Sequence, residues 1–177
     1  MPKYIRTRKP GGTFFFTVRL ADRTATTLTD RIHHLRSVTR QTRDRYPFEI
    51  DEIVILPSVL HTIWTLPEGD GDFSIRWQML MSLFSRGIPT MGGPIQHEGR
   101  MRDSGIWQPR FWEHCIHDLH DQAAHRQMIF HAPVQAGFVN RPQVWPHSSI
   151  HRAIALGTWK VVQKVGPAYA TNAIASE

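Results

Sequence analysis

The run Thr13-Phe14-Phe15-Phe16-Thr17-Val18-Arg19-Leu20 constrains the fold of this chain more than any other segment. It is rich in aromatic and β-branched residues and follows Pro10-Gly11-Gly12, a turn signal. Successive strand side chains point to opposite faces. Phe at 14, 15 and 16 therefore puts apolar surface on both sides, as in a strand covered above and below. A sheet with one face left to water does not suit that run.

The remaining pattern supplies the cover. Thr29 or Asp30 is placed to cap a helix running to about Arg45, with Ile32, Leu35 and Val38 at helical spacing and Pro47 beyond its end. Residues 48–56 and 59–66 read as two strands joined through Pro57-Ser58. Residues 67–72 read as a loop with turn and cap acids. Trp77, Leu80, Met81 and Phe84 give residues 73–86 a helical period. Residues 87–105, rich in Gly and Pro, read as a mobile excursion. A fourth strand is expected over 111–116, a helix from Asp118 to about His131 that stops before Pro133, and a short helix near 154–164. The order β-α-β-β-α-β-α predicts an α/β, ferredoxin-like single domain: an antiparallel sheet with helices on one face and an additional C-terminal helix. The domain is expected to span residues 1–155, with 156–177 a partly flexible extension.

Charge narrows the function class. The net charge is +6, and of 21 basic residues 17 are Arg. Residues 1–45 hold eleven Lys/Arg against three Asp/Glu, whereas residues 46–74 hold six acids and no base. A planar guanidinium suits phosphate and base edges, so this asymmetry points to nucleic acid. The alternative is a generic basic protein. No apolar run is long enough to span a membrane. The N-terminus lacks a secretory apolar stretch, and the single Cys115 cannot form an internal disulfide. A cytoplasmic location, nucleoid-associated in a prokaryote, is expected.

Several groups are candidates for chemistry. Val59, His61 and Ile63 share a strand face, so His61 stands there without a second imidazole. A segment rich in His follows at 114, 117, 120, 125 and 131. His125 or His131 is a possible partner for His61 around a divalent ion, whereas 114 and 117, an odd number apart, are not expected on one strand face. The tyrosines are Tyr4, Tyr46 and Tyr169, none of them on the helix after the fourth strand. Ser148 and Ser149 have no evident activating base. Lys3, Arg6, Arg8 and Lys9 precede the Gly-Gly turn and are placed to follow a nucleic-acid backbone. Trp107, Arg110 and Arg152 are further candidate contacts, since aromatics beside Arg stack on unpaired bases. Arg31, Arg36, Arg40 and Arg43 fit a solvated helix face equally well.

The ordered set Gly11-Gly12-Thr13 through Val18, Phe48-Glu49-Ile50, Leu56-Pro57, His61, Trp64 through Asp70, Ile106 through His114, Pro133-Val134 with Gly137, and Trp145-Pro146 with Ser148-Ser149 resembles the REP-associated tyrosine transposases. These form a branch of the IS200/IS605-like transposases within the HUH single-strand nucleases. The resemblance covers residues 3–155. It implies binding of a single-stranded DNA hairpin or repeat palindrome, and cleavage beside it by a Tyr nucleophile with Mg²⁺ or Mn²⁺. Under that resemblance the family's His-hydrophobic-His motif falls on Val59-Leu60-His61, its catalytic Tyr on Met128 and a nearby Asn on Ala132. The expectation that follows is a degenerate catalytic centre: hairpin binding that requires no cofactor, with nuclease activity lost. Two alternatives stay open. One is an active metal-dependent transposase with a rearranged site, and the other is a non-catalytic interaction domain. Oligomeric state is not legible.

Overall fold

The computed structural model describes residues 9–88 and 105–160. Lys3, Arg6, Arg8, Tyr4, Tyr169, almost all of the 87–105 excursion and most of the C-terminal extension lie outside the described residues. The elements are β1 (Thr13–Arg19), α1 (Thr27–Asp30), α2 (Ile32–Arg45), β2 (Glu49–Ile55), β3 (Val59–Thr65), α3 (Phe73–Arg86), β4 (Trp112–Cys115), α4 (Leu119–Gln135), a 3-10 turn (Pro142–Val144) and α5 (Ile150–Ala155). The four strands form one antiparallel sheet in the order β2-β3-β1-β4. This is the expected ferredoxin-like arrangement.

Alternation along β1 divides the interior in two. Phe14, Phe16 and Val18 join Leu60 and Trp64 of β3 beneath α2 and α3, which contribute Leu35, Val38, Trp77 and Phe84. Phe15, one residue out of phase, joins Val54, Val59 and Ile63 beneath α4 and α5, which contribute Ile129, Phe130 and Ile150. The doubly apolar run thus has its physical cause: helices cover both faces.

Local chemistry sets the connections. Gly11 adopts φ +66°, and its N–H donates to the Asp70 carbonyl at 2.9 Å, which ties the start of β1 to the loop before α3. The Asp72 carboxylate accepts from the N–H groups of Ser74 and Ile75 and caps α3. Arg76, only 1% exposed, donates to the Pro47 and Asp72 carbonyls and to the Asp70 carboxylate at 2.8 Å. That guanidinium holds Asp70 below the usual carboxylate range.

Three boundaries differ from expectation. Neither Thr29 nor Asp30 caps the first long helix: both lie in α1, and α2 begins after Arg31 without a side-chain cap. Helix α4 continues through Pro133 to Gln135. The proline forfeits one backbone bond near the helix end, but its ring is buried, and its carbonyl accepts from Phe138 N–H at 3.0 Å as Gly137 turns the chain with φ +75°. The last short helix is α5, earlier than the 154–164 expected. Residues 147–149 lie along the outer edge of β2: Ile55 N–H donates to the His147 carbonyl and Ser149 N–H to the Ile53 carbonyl. This satisfies an edge that would otherwise be open to another chain. Among the described residues, no helix is long and apolar enough to cross a membrane.

Candidate metal centre

The face of the sheet under α4 changes character toward β4. In register with Phe15 stand Ile63 on β3 and His114 on β4; Thr17 is flanked by His61 and Trp112. All lie on the same side of the sheet by alternation. The rings form a connected series. Trp112 stacks parallel to His114 (5.9 Å, 4°), His114 on His125 of α4 (4.7 Å, 19°), His125 against Phe15 (4.6 Å), and Phe15 on His61 (6.0 Å, 11°).

Asp121, in the first turn of α4, organises the polar end of this series. Its Oδ2 accepts from the backbone N–H of His117 at 2.9 Å and pairs with His114 Nε2 at 2.8 Å; its Oδ1 lies 3.0 Å from His125 Nδ1. Asp118 caps the same turn by accepting from Asp121 N–H at 2.8 Å. The His117 amide foremost, and then the His114 imidazole, hold the Asp121 carboxyl down to about 2. It is therefore an anion at any physiological pH.

His114, His117 and Asp121 each offer a ligand atom, and these atoms lie within 4.8 Å of one another. Donors around an ion with bonds of about 2.1 Å stand roughly 3–3.5 Å apart. The His114–Asp121 pair, at 2.8 Å, is already close to that spacing, and His117 is exposed. Two imidazoles and a carboxylate form a donor set suited to a divalent first-row ion. The residues fit a metal.

This corrects the expectation of a degenerate centre. That expectation rested on apolar residues where the family has a metal-binding His, its catalytic Tyr and a nearby Asn: Val59, Met128 and Ala132. Val59 and Ala132 are buried in the second core and Met128 is partly exposed on α4. A candidate ligand set, His114, His117 and Asp121, is present at the end of β4 and the start of α4. His114 and His117 come together without sharing a strand face, because β4 ends at Cys115. His117 is past the strand, so alternation no longer governs it, and the turn into α4 brings it back beside His114. The legible signal was His-x-x-His followed four residues later by Asp at a capped helix start.

The other expected ligands stand apart. His61 Nδ1 lies 2.8 Å from Thr17 Oγ1. Burial, with the nearby charge of Arg19 as a smaller cause, pushes its pKa down to about 4, so it is neutral at pH 7. The Phe15 ring contacts both it and His125. His131 bonds the Gln127 carbonyl and approaches Trp159. Among the described residues, the group of three or more potential ligands is His114, His117 and Asp121, and it includes none of His61, His125 and His131.

Among the expected nucleic-acid contacts, Lys9 and Arg110 are exposed. Trp107 is buried in the first core, its indole N–H donating to Ser85 Oγ at 3.1 Å. Arg152 donates to the Ile50 and Asp51 carbonyls. Ser149 Oγ donates to Glu52 Oε2 at 2.6 Å and accepts from Ile53 N–H. A β-bulge at Asp51 directs Glu52 toward α4, where Arg126 meets it at 2.8 Å; burial raises the Glu52 pKa.

No family model matches the chain. Curated relatives and solved structures do. A Haemophilus influenzae protein assigned as a REP-associated tyrosine transposase is 43% identical over 155 residues, covering 87% of this chain and 88% of its own length. The REP-associated tyrosine transposase of Escherichia coli K12 is 41% identical over 162 residues, 91% of this chain and 90% of its own. A solved structure of a REP-associated tyrosine transposase bound to a REP hairpin superposes with a TM-score of 0.80 at 37% identity, covering 99% of this chain and 100% of the other. With identity at this level sustained over nearly the whole length, the chain belongs to the REP-associated tyrosine transposase family.

Proposed function

We propose that this protein binds a single-stranded DNA hairpin and cleaves the adjoining strand in a metal-dependent, transposase-like reaction centred on His114, His117 and Asp121. The observation that carries this reading is the two-imidazole, one-carboxylate cluster in a member of this family. The hairpin in the related complex, together with the basic excess here, supports the partner. The two imidazoles favour a first-row ion over Mg²⁺, which takes oxygen ligands; Mn²⁺ is a first-row ion that also accepts the carboxylate and water. When bound, a divalent ion supplies Lewis acidity at the scissile phosphate.

The chain's own residues do the rest. The anionic Asp121 supplies the carboxylate ligand, and its hydrogen bonds hold His114 and the start of α4 in place. His125 packs between Phe15 and His114 and fixes their orientation. Met128 has no ionisable proton and cannot form a phosphoester. Tyr46, the tyrosine within the described residues, follows α2 on the opposite face of the sheet. Water is therefore the attacking group in this reading: its oxygen bonds to the scissile phosphorus, the sugar oxygen leaves as the alcohol, and the proton passes to solvent.

The test is a cleavage assay on a hairpin with single-stranded flanks, run with Mn²⁺, Mg²⁺ and chelator, on the wild type and on Asp121→Asn and His114→Ala. Metal-dependent cuts that vanish in both variants are expected. Hairpin binding with no cut under any metal would overturn the catalytic half of the proposal; absence of hairpin binding at low salt would overturn the other half.

A further inference from the structure

Of the six tryptophans, Trp112 is the exposed one, at 53%. It stands on β4, the edge strand, on the same side of the sheet as the proposed ligands. His114 covers one side of the indole, and Phe15 meets it edge-on at 5.6 Å. Burial normally takes a side chain of this size out of water, so a half-exposed indole held this firmly needs an explanation. Its neighbour along the face is Arg19. Thr17 is opposite Trp112, and Arg19 is the next residue on that side of β1, half-buried and close enough for its charge to act on His61. An aromatic plane beside a guanidinium is the pairing that receives unpaired nucleotides: the ring takes the base and the cation takes the phosphate. A duplex cannot use this indole, because its bases already stack on one another.

We propose that Trp112 and Arg19 form a nucleotide subsite on the open face of the sheet, in which the indole stacks on an unpaired base, the guanidinium holds a neighbouring phosphate, and the strand is thereby presented to His114, His117 and Asp121. This rests on the hairpin-binding reading above and adds where the unpaired strand runs. Trp112 and Arg19 are positioning residues. They require no metal to act, so their contribution is measurable in chelator.

The experiment uses the full chain in chelator with four probes: a blunt DNA hairpin, the same hairpin with a short unpaired 5′ or 3′ flank, and a flanked hairpin with one abasic flank position. Affinity is read by fluorescence anisotropy. A 2-aminopurine in the flank reports stacking directly. One flank should strengthen binding about tenfold, and the abasic substitution should remove that gain. Trp112→Leu, which keeps apolar contact with Phe15, should lose the same increment, while Trp112→Phe retains most of it. Neither should change affinity for the blunt hairpin. Arg19→Gln should lower the salt slope for the flanked probe by roughly one phosphate contact. Quenching of 2-aminopurine by the wild type supports the subsite even if a variant folds poorly. Unquenched 2-aminopurine, a flank that adds nothing, or Trp112→Leu equal to wild type on the flanked probe would overturn it while leaving hairpin binding intact. Failure to bind any probe would remove the hairpin-binding reading and the subsite with it.

Discussion

Facing α2 and α3, the sheet presents Phe14, Phe16, Val18, Leu60 and Trp64, closed over by two 14-residue helices. Facing α4, the same strands present Phe15 and Ile63, but also Thr17, His61, Trp112 and His114. One face is a uniform apolar layer, with Trp64 and Trp77 stacked at 4.1 Å. The other grades from apolar under α5 to polar and open at β4. Strand alternation lets adjacent residues serve these unlike environments without compromise, so polar groups can accumulate on one face while the other supplies the stability. The price of that division is that Phe14, Phe15, Phe16 and Val18 are all buried, so that neither face has room for a polar side chain at those four positions.

The comparison breaks most visibly if the closed face is opened. Phe16→Ala removes a fully buried ring that meets Trp64, Phe73 and Trp77. Chemical denaturation should register a loss of about 3–5 kcal/mol, while Mn²⁺ affinity of the folded fraction stays as in wild type. Coupled loss of metal affinity in fully folded protein would show that the faces are not independent.

The polar face should announce itself through pH. His61 has an ordinary pKa of 6.5, brought down to about 4 by folding. The unfolded chain binds the proton more readily, so the stabilising contribution is complete above 6.5 and is lost as pH falls from there through about 4. Its full size is at most about 3 kcal/mol. Urea midpoints between pH 7 and 4 should fall, and His61→Gln should flatten that dependence. An unchanged slope would place the acid sensitivity in other groups.

Next is the metal cluster. Asp121→Asn keeps the shape but removes the anionic ligand, and should weaken Mn²⁺ binding by roughly 100-fold, read by calorimetry. His131→Ala, one residue beyond the buried Phe130 and outside the cluster, should leave it unchanged. The smallest effect concerns the turn that enters both faces. Gly11→Ala forces a Cβ onto a residue at φ +66° and should cost about 1 kcal/mol in thermal or urea unfolding.

Much of the fold was legible because its signals are local. The Pro57-Ser58 turn, the Asp72 cap and the helical period of Trp77, Leu80 and Phe84 depend on residues close in sequence. The metal cluster was misread for a related reason. Alternation was applied to His114 and His117 as though the strand included both, and where β4 stops is set by its pairing with β1, not by its own residues. The helix boundary at Pro133 failed likewise, because burial of the ring offsets the lost backbone bond. Trp107 and Trp112, five residues apart in one aromatic stretch, could not be told apart in sequence. One fills the core beside Phe84 and the other faces solvent beside His114.

By itself, then, the sequence determined the number and type of most elements, the need for cover on both faces of β1, the basic character and the family resemblance, since each is a matter of near neighbours, composition or ordered motifs. Tertiary structure alone decided which imidazoles share a carboxylate, which tryptophan is free to meet a ligand, and that Glu52 turns toward α4 at a bulge. Those outcomes depend on strand register and on where pairing ends, which are settled by contacts between residues far apart in the chain.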